Sequence, residues 1–305
     1  MLKFLLGRLV QAVPTLLGAS VVVFLLVHLT GDPALLLLPP DAPPSQVEAF
    51  RASLGFDRPL IVQYGDFLAG LARGDMGESF RFRAPALELV WERFPATIEL
   101  AGLAVAFAAL IGIPLGVLSA TTRGSWIDGL ARGVFFLGQG IPPFWLGLML
   151  MVVFSVQLAV LPSSGRGTLA QLVMPVATLT VFLTASLARL TRGGMIQALK
   201  EDYVRTARAK GLAPRSVLFK HAVRNTLIPV VTMMGLQIGH LLGGAVVTET
   251  IFAWPGVGRL VVDAVHARDF PVVQAAMMVI VAAFVAVNVV IDILYGLLDP
   301  RIVYE

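Results

Sequence analysis

Six apolar stretches separated by polar segments organise the chain. They run from Leu9 to Leu29, about Thr97 to Ala120, within the uncharged run between Arg132 and Arg166, about Leu172 to Leu190, about Ile228 to Val247, and about Val272 to Leu294. Each supplies roughly the 20 apolar residues that a helix needs to cross the hydrocarbon core of a bilayer. The second carries no charge after Glu99. The third is longer than one span requires, and Gly138-Gln139-Gly140-Ile141-Pro142-Pro143 interrupts it. Proline removes a backbone donor and clashes with the preceding turn, so a kink or break is expected there. The pattern predicts an all-α membrane protein with six transmembrane helices.

The polar segments differ in character. Residues 30–95 form a long segment with Pro39-Pro40 and Pro43-Pro44, followed by a helical-looking stretch from Pro59 to Leu71. Residues 121–133 form a short basic loop and 161–171 a short Gly/Ser loop. Residues 191–227 are polar and strongly basic, and 248–271 make another sizeable loop. With apolar segments spread over the whole length, residues 1–305 read as a single transmembrane domain. There is no internal repeat of the kind that marks solenoids.

Composition sharpens this. The chain is 57% hydrophobic and 14% charged, whereas soluble domains run near 25% charged. Its net charge of +4 would raise nucleic acid as a partner in a soluble protein. Here topology accounts for it, because cytoplasmic loops of membrane proteins collect Lys and Arg. An N-in, C-in arrangement leaves Lys3, Arg8, Arg123, Arg132 and Arg301 inside. The cluster Arg189, Arg192, Lys200, Arg205, Arg208, Lys210, Arg215, Lys220 and Arg224 is then inside as well. Segment 30–95, with nine acidic residues against six arginines, becomes the extracytoplasmic loop, and 191–227 becomes cytoplasmic. The N-terminal apolar run superficially resembles a signal peptide; its length and the lack of a small-residue cleavage site favour a retained helix. Cysteine is absent, which removes thiolate and disulfide chemistry. The four histidines are scattered without metal-site spacing.

Segment 201–225 reads as helix, turn, helix. Glu201 and Asp202 suit a helix start. Gly211 can take the positive φ that ends one helix, and Pro214 suits the first turn of the next. In that second helix Val217, Leu218, His221 and Ala222 share a face, with Arg215, Lys220 and Arg224 at or beyond its edges. Such a stiff basic pair could dock into another protein, or it could merely set topology and touch anionic lipid.

The segment resembles the "EAA" coupling loop of ABC-transporter permeases, in the dipeptide/oligopeptide/nickel branch. The matching residues are Glu201-Asp202-Tyr203-Val204-Arg205-Thr206-Ala207-Arg208-Ala209-Lys210-Gly211 and His221 to Pro229. Further matches are Gly31-Asp32-Pro33, Pro95-Ala96-Thr97, Ile251-Phe252-Ala253-Trp254-Pro255-Gly256-Val257-Gly258-Arg259 and Leu298-Asp299-Pro300-Arg301. Where the general motif has Glu-Ala-Ala before the glycine, this chain has Arg205-Thr206-Ala207, as is usual in this branch. The resemblance implies a type I importer permease of the bacterial inner membrane. Its implied partners are a second homologous permease, giving a heterodimer, two cytoplasmic ATPase subunits and an extracytoplasmic substrate-binding protein. Glu201, Asp202, Tyr203, Arg205, Thr206, Ala207, Lys210, Gly211 and Arg215 would form the ATPase-coupling surface. The sequence contains no GxxxxGK[ST] phosphate loop. ATP and Mg²⁺ would therefore be held by the partner ATPases, and no cofactor, metal or catalytic residue is expected here. Peptides, di- or oligopeptides or glutathione, are the implied cargo, with nickel chelates or opines as the alternative.

Polar groups within spans are candidate pathway residues. Gln139, Gln237, His240, Asn288 and Asp292 qualify, though close packing through small residues would explain them equally. Asp292 and His28 fall near span ends, where charge and polarity cost little. Trp254 could anchor at the interface; by resemblance its segment folds back toward the pathway as part of a gate. A secondary transporter would carry inverted repeats, and a membrane enzyme a nucleophile–base or metal constellation; neither pattern is found.

Overall fold

The structure, a computed structural model, describes residues 2–29, 38, 42–53 and 55–298. Gly31-Asp32-Pro33, Pro39-Pro40 and Asp299-Pro300-Arg301 lie outside the described residues, as do the side chains of His28 and His240. Among the described residues there is no strand, only an isolated bridge between Glu78 and Pro85.

The helices are α1 Leu2–Leu29, α2 Pro44–Ser53, α3 Leu60–Arg73, α4 Ala86–Thr121, α5 Trp126–Gly140 and α6 Pro143–Leu150, the last followed by a π-helical turn, Met151–Gln157. Then come α7 Leu169–Ala198, α8 Asp202–Ala209, α9 Pro214–Ser216, a π-helical turn Val217–Val223 and α10 Arg224–Gly244. The chain ends with α11 Val246–Ile251, α12 Val257–His266 and α13 Phe270–Leu298. Among the described residues five helical stretches are long and apolar enough to cross a membrane: Val10–Val27, Ala86–Thr121, Leu169–Ala198, Pro214–Gly243 and Phe270–Ile293. The number becomes six if the bent pair Trp126–Gly140 and Pro143–Gln157 is one span.

The expected break in the third apolar stretch is a 97° bend. Its cause is local. Two successive prolines push Ile141 (φ −84°, ψ 120°) and Pro142 (φ −61°, ψ 132°) into extended backbone, because the residue before proline is excluded from the helical region. The helix restarts with Pro143 at its first position, where the missing N–H costs nothing. The first arm starts at Trp126, before Arg132, with the Ser125 hydroxyl accepting the Asp128 N–H at 3.3 Å as its N-cap. The second expected span also starts earlier, at Ala86. At 36 residues, α4 is about 54 Å long at 1.5 Å per residue, well beyond the hydrocarbon thickness.

The chain divides into two compact units. The first comprises residues 1–95 and 256–285, the second 96–255 and 286–305. In the first, α1 meets α3 through a 2.8 Å hydrogen bond between Ser20 and Tyr64 and an edge-on ring contact between Phe24 and Tyr64. Buried Asp269 accepts from the Ser79 hydroxyl and from the backbone N–H groups of Phe80 and Arg81, which ties loop 74–85 to the start of α13. The apolar core there is Val23, Met76, Ala86, Val90, Val257, Val272 and their neighbours.

In the second unit α7 is the hub. Its residues Val176, Leu179, Leu183 and Leu187 share one core with Ala96 to Ala108 of α4 and with Val230 and Leu241 of α10. Helix α4 presents Gly112 and Gly116, one turn apart, to α7. A Cβ at Gly112 would sit 2.9 Å from the Thr184 carbonyl oxygen, and one at Gly116 would sit 2.5 Å from that of Ala188. Small residues four apart let helix backbones approach where lipid supplies no hydrophobic drive between helices.

Candidate functional site

Segment 191–227 contains the last turns of α7, the short helix α8, a turn, and a second helix that is continuous with the stretch Pro214–Gly243. Extended Glu201 (φ −68°, ψ 150°) starts α8, and its carbonyl accepts from the N–H groups of Val204 and Arg205. Val204 and Ala207, three apart on one face, are buried against Val217. Glu201, Asp202, Tyr203, Arg205, Thr206, Lys210, Gly211 and Arg215 are exposed. Eight of the nine coupling candidates thus offer their surface to a partner, while Ala207 holds the helix down.

Gly211 has φ +75°, a backbone conformation that L side chains rarely adopt. Its N–H bonds the Arg208 carbonyl at 2.9 Å, and the Leu212 N–H bonds that of Ala207 at 3.3 Å. A Cβ there would meet nothing within 4 Å. Glycine is required for the turn's angle and not for space. Past Pro214 the helix winds wider than α. Val217 and Ala222 are buried, and Leu218 and Val223 half-buried, in pairs five residues apart. The expected face, Val217, Leu218, His221 and Ala222, is buried or half-buried, and the wider winding adds Val223 to it. Ala222 packs with Met195 and Ala198 of α7 and Val117 and Ala120 of α4. The Thr226 hydroxyl donates to the Ala222 carbonyl at 2.9 Å and touches the Met195 sulfur at 3.4 Å.

A buried carboxylate fastens the same region. Asp128, 1% exposed, accepts from Arg192 Nε at 2.8 Å and Nη2 at 3.0 Å, from the Ser119 hydroxyl at 2.7 Å and from the Gly124 N–H at 3.1 Å. It joins the end of α4, the α4–α5 turn, α5 and α7. Sequence reasoning left Asp128 within a basic loop. The available signal was Ser125-x-x-Asp128 ahead of an apolar run, a helix-start signature.

A second junction joins two of the matching motifs. The Trp254 indole N–H donates to the Ala96 carbonyl at 2.9 Å, and the Thr97 hydroxyl donates to Glu249 Oε1 at 2.7 Å. The Trp254 backbone N–H bonds the Glu249 carbonyl at 2.8 Å. Trp254 and Glu249 are fully buried and Phe252 is 1% exposed. Full burial takes Trp254 away from a lipid interface. Ala253 turns the chain at φ +48°. Arg166 lies over the Trp254 ring, 5.7 Å from its centroid, while pairing with Glu99 at 2.6 Å. Glu249 was missed in the sequence, where it stands alone in the acid-free run between Asp202 and Asp263.

The remaining pathway candidates do not converge on one site. Gln139 is half-buried and lines a cavity of about 660 Å³ with Arg132, Arg189 and Arg192. Buried Gln237 lines a separate cavity of about 260 Å³ with Leu179, Leu183 and Thr248. Asn288 and Asp292 are half-buried on α13. Among the described residues no group of three or more His, Asp or Glu side chains is placed to hold a metal ion.

This fold of long and broken apolar helices is shared with chains of ABC transporters. A chain of the MetNI methionine ABC transporter superposes with a TM-score of 0.58 at 18% identity, covering 69% of this chain and 96% of that one. A chain of an amino acid ABC transporter gives 0.52 at 18% identity, covering 70% and 94%. The sequence goes further. Residues 112–304 match the profile of the binding-protein-dependent transport system inner membrane component, and residues 1–101 match that of the corresponding N-terminal region. The chain belongs to this family of binding-protein-dependent transport system inner membrane components, and is a multi-pass permease subunit of the inner membrane. It is 42% identical, over the full length of both chains, to the glutathione transport system permease protein GsiC of Escherichia coli strain K12 and to that of Salmonella typhimurium strain LT2. The resemblance drawn from the coupling-segment residues is borne out.

Proposed function

We propose that the chain is the translocation subunit of an ATP-driven importer that passes small peptides, glutathione among them, by alternating access. The full-length 42% identity to glutathione permeases carries the cargo reading. The exposed outer face of α8, backed by a buried seam of Val204, Ala207 and Val217, supports docking of an ATPase at 191–227. In this reading the chain crosses the membrane six times with both ends in the cytoplasm, the bent pair α5–α6 counting as one span. A second, homologous permease completes a heterodimer, two ATPases bind beneath and hold ATP and Mg²⁺, and a binding protein delivers cargo to the outer face, where segment 30–95 lies.

The mechanical route is short. α8 leaves the end of α7 within three residues. The Ala222–Met195–Val117 cluster and the Asp128–Arg192 pair bind that end to α4 and α5. A push on α8 therefore reaches the hub helix without passing through a flexible linker. Reversing a two-state gate from 1:99 to 99:1 takes roughly 5.5 kcal/mol, a load that a stiff, packed corner can transmit and a loose loop cannot.

The test is purification of the chain from its native membrane in mild detergent, followed by reconstitution of what co-purifies. A second permease, ATPases and ATP-dependent glutathione uptake are expected. Flux through the chain alone without ATP would overturn the reading.

A further inference from the structure

The cavity of about 660 Å³ between α5 and α7 is rich in arginine. Arg132, Phe135, Phe136 and Gln139 contribute from α5, and Arg189 and Arg192 from α7. Positions 132, 135, 136 and 139 follow helical spacing on one face, as do 189 and 192 on the other. Two of the three guanidinium groups meet a carboxylate, Asp128, which is buried and paired with Arg192 at 2.8 Å, with a longer 3.7 Å approach from Arg132. Arg189 is exposed, and neither a hydrogen bond nor an ion pair engages it among the described residues. The cavity therefore holds an excess of two positive charges, beside a neutral amide and an aromatic wall.

Arginines at the cytoplasmic end of a span cost little, but three of them gathered around one cavity attract anions. Guanidinium groups bind carboxylates with two parallel hydrogen bonds, and the volume lies in the range of small-molecule sites. We propose that this cavity receives the carboxylate groups of an acidic peptide in transit, with Arg189 as the specificity-determining residue and Gln139 bonding the peptide's amides. The inference rests on the peptide-importer reading above. A lipid headgroup would offer the same anionic chemistry. However, one cation suffices for a headgroup, whereas three arginines beside an amide and aromatic rings suit a peptide.

The test uses the full complex in proteoliposomes, with the binding protein saturated by Ala-Glu-Ala or Ala-Gln-Ala, each first shown to load it. Arg189→Gln should lower the Glu/Gln uptake ratio by about 10-fold, the scale of one charge-assisted pair, and Arg189→Lys should restore part of it. Membrane accumulation of both variants should stay at the wild-type level. An unchanged ratio overturns the inference. So does loss of the wild-type preference in vesicles of zwitterionic lipid alone, which would assign the anion to a headgroup. If the wild-type complex takes up neither peptide with ATP, the peptide reading itself falls and this inference with it.

Discussion

Helix α8 and the junction of α4 with the turn after α11 both carry motif residues, but they use them in opposite ways. On α8 the polar residues face outward, and the helix is held by Val204, Ala207 and Val217. At the junction Trp254 and Glu249 are fully buried, bonded to Ala96 and Thr97 within α4. A docking surface needs exposed side chains on a stiff backbone, and its own ion pairs add little. A closure between helices needs buried side chains with every polar atom satisfied, since an unsatisfied one is costly. The two regions should therefore fail differently when altered: the junction by loss of folded protein, α8 by loss of coupling in protein that remains folded.

The largest effect is expected at Trp254. Trp254→Ala removes a buried ring and its hydrogen bond to Ala96, at a cost of about 3–5 kcal/mol. Membrane accumulation and the thermal transition in detergent should both fall sharply. Normal values for both would mean that the junction does not hold the fold. At the same site Thr97→Val takes one donor from Glu249 and should cost about 1–3 kcal/mol.

Asp128→Ala comes next and probes the link between the regions. It leaves Arg192 without its bidentate partner, a loss of about 3–5 kcal/mol for a buried pair. The exposure of Arg192, 21%, brings the expected value toward the lower end. Pairing Asp128→Asn with Arg192→Gln should recover part of the stability, because neither charge is then left alone. Absence of any recovery would show that the two side chains act independently.

How far the sequence could have led is visible in the same residues. Helix type, the broken third stretch and the coupling turn follow from local rules: apolar length, proline pairs and a glycine that needs positive φ. The early start of α4 at Ala86 was masked because Glu88, Glu92 and Arg93 break the apolar run. The π-helical winding of Val217–Val223, whose Ala222 packs against Met195 and Val117, is announced by no local periodicity. Asp128 and Glu249 were obscure for a different reason. Their roles depend on Arg192, 64 residues away, and Thr97, 152 residues away, and single-sequence reading carries no signal for such pairings.

On α8 a middling effect is expected at the turn. Gly211→Ala forces a Cβ into a left-handed backbone, costing about 1–2 kcal/mol, although no atom lies within 4 Å to clash with it. Gly211→Trp should cost a similar amount in stability and leave membrane levels near normal. Both variants should uncouple uptake from ATP hydrolysis if the angle is what matters, and Gly211→Asn, which tolerates positive φ better, should retain more uptake. Normal uptake by a well-expressed Gly211→Trp would show that the turn does not set the docking angle.

The smallest stability effect is expected for the pair Asp202 and Arg205, 3.2 Å apart and 88% and 85% exposed. Exposed pairs three residues apart contribute about 0.2–0.5 kcal/mol and are screened by salt. Asp202→Asn or Arg205→Gln should therefore leave the thermal transition within error. If these side chains meet an ATPase, the same changes should weaken its association and make it more sensitive to ionic strength, which titration of the purified ATPase onto the reconstituted permease would measure. A shift in affinity with no shift in stability would separate docking from folding on this helix. A shift in stability with none in affinity would place the coupling surface elsewhere.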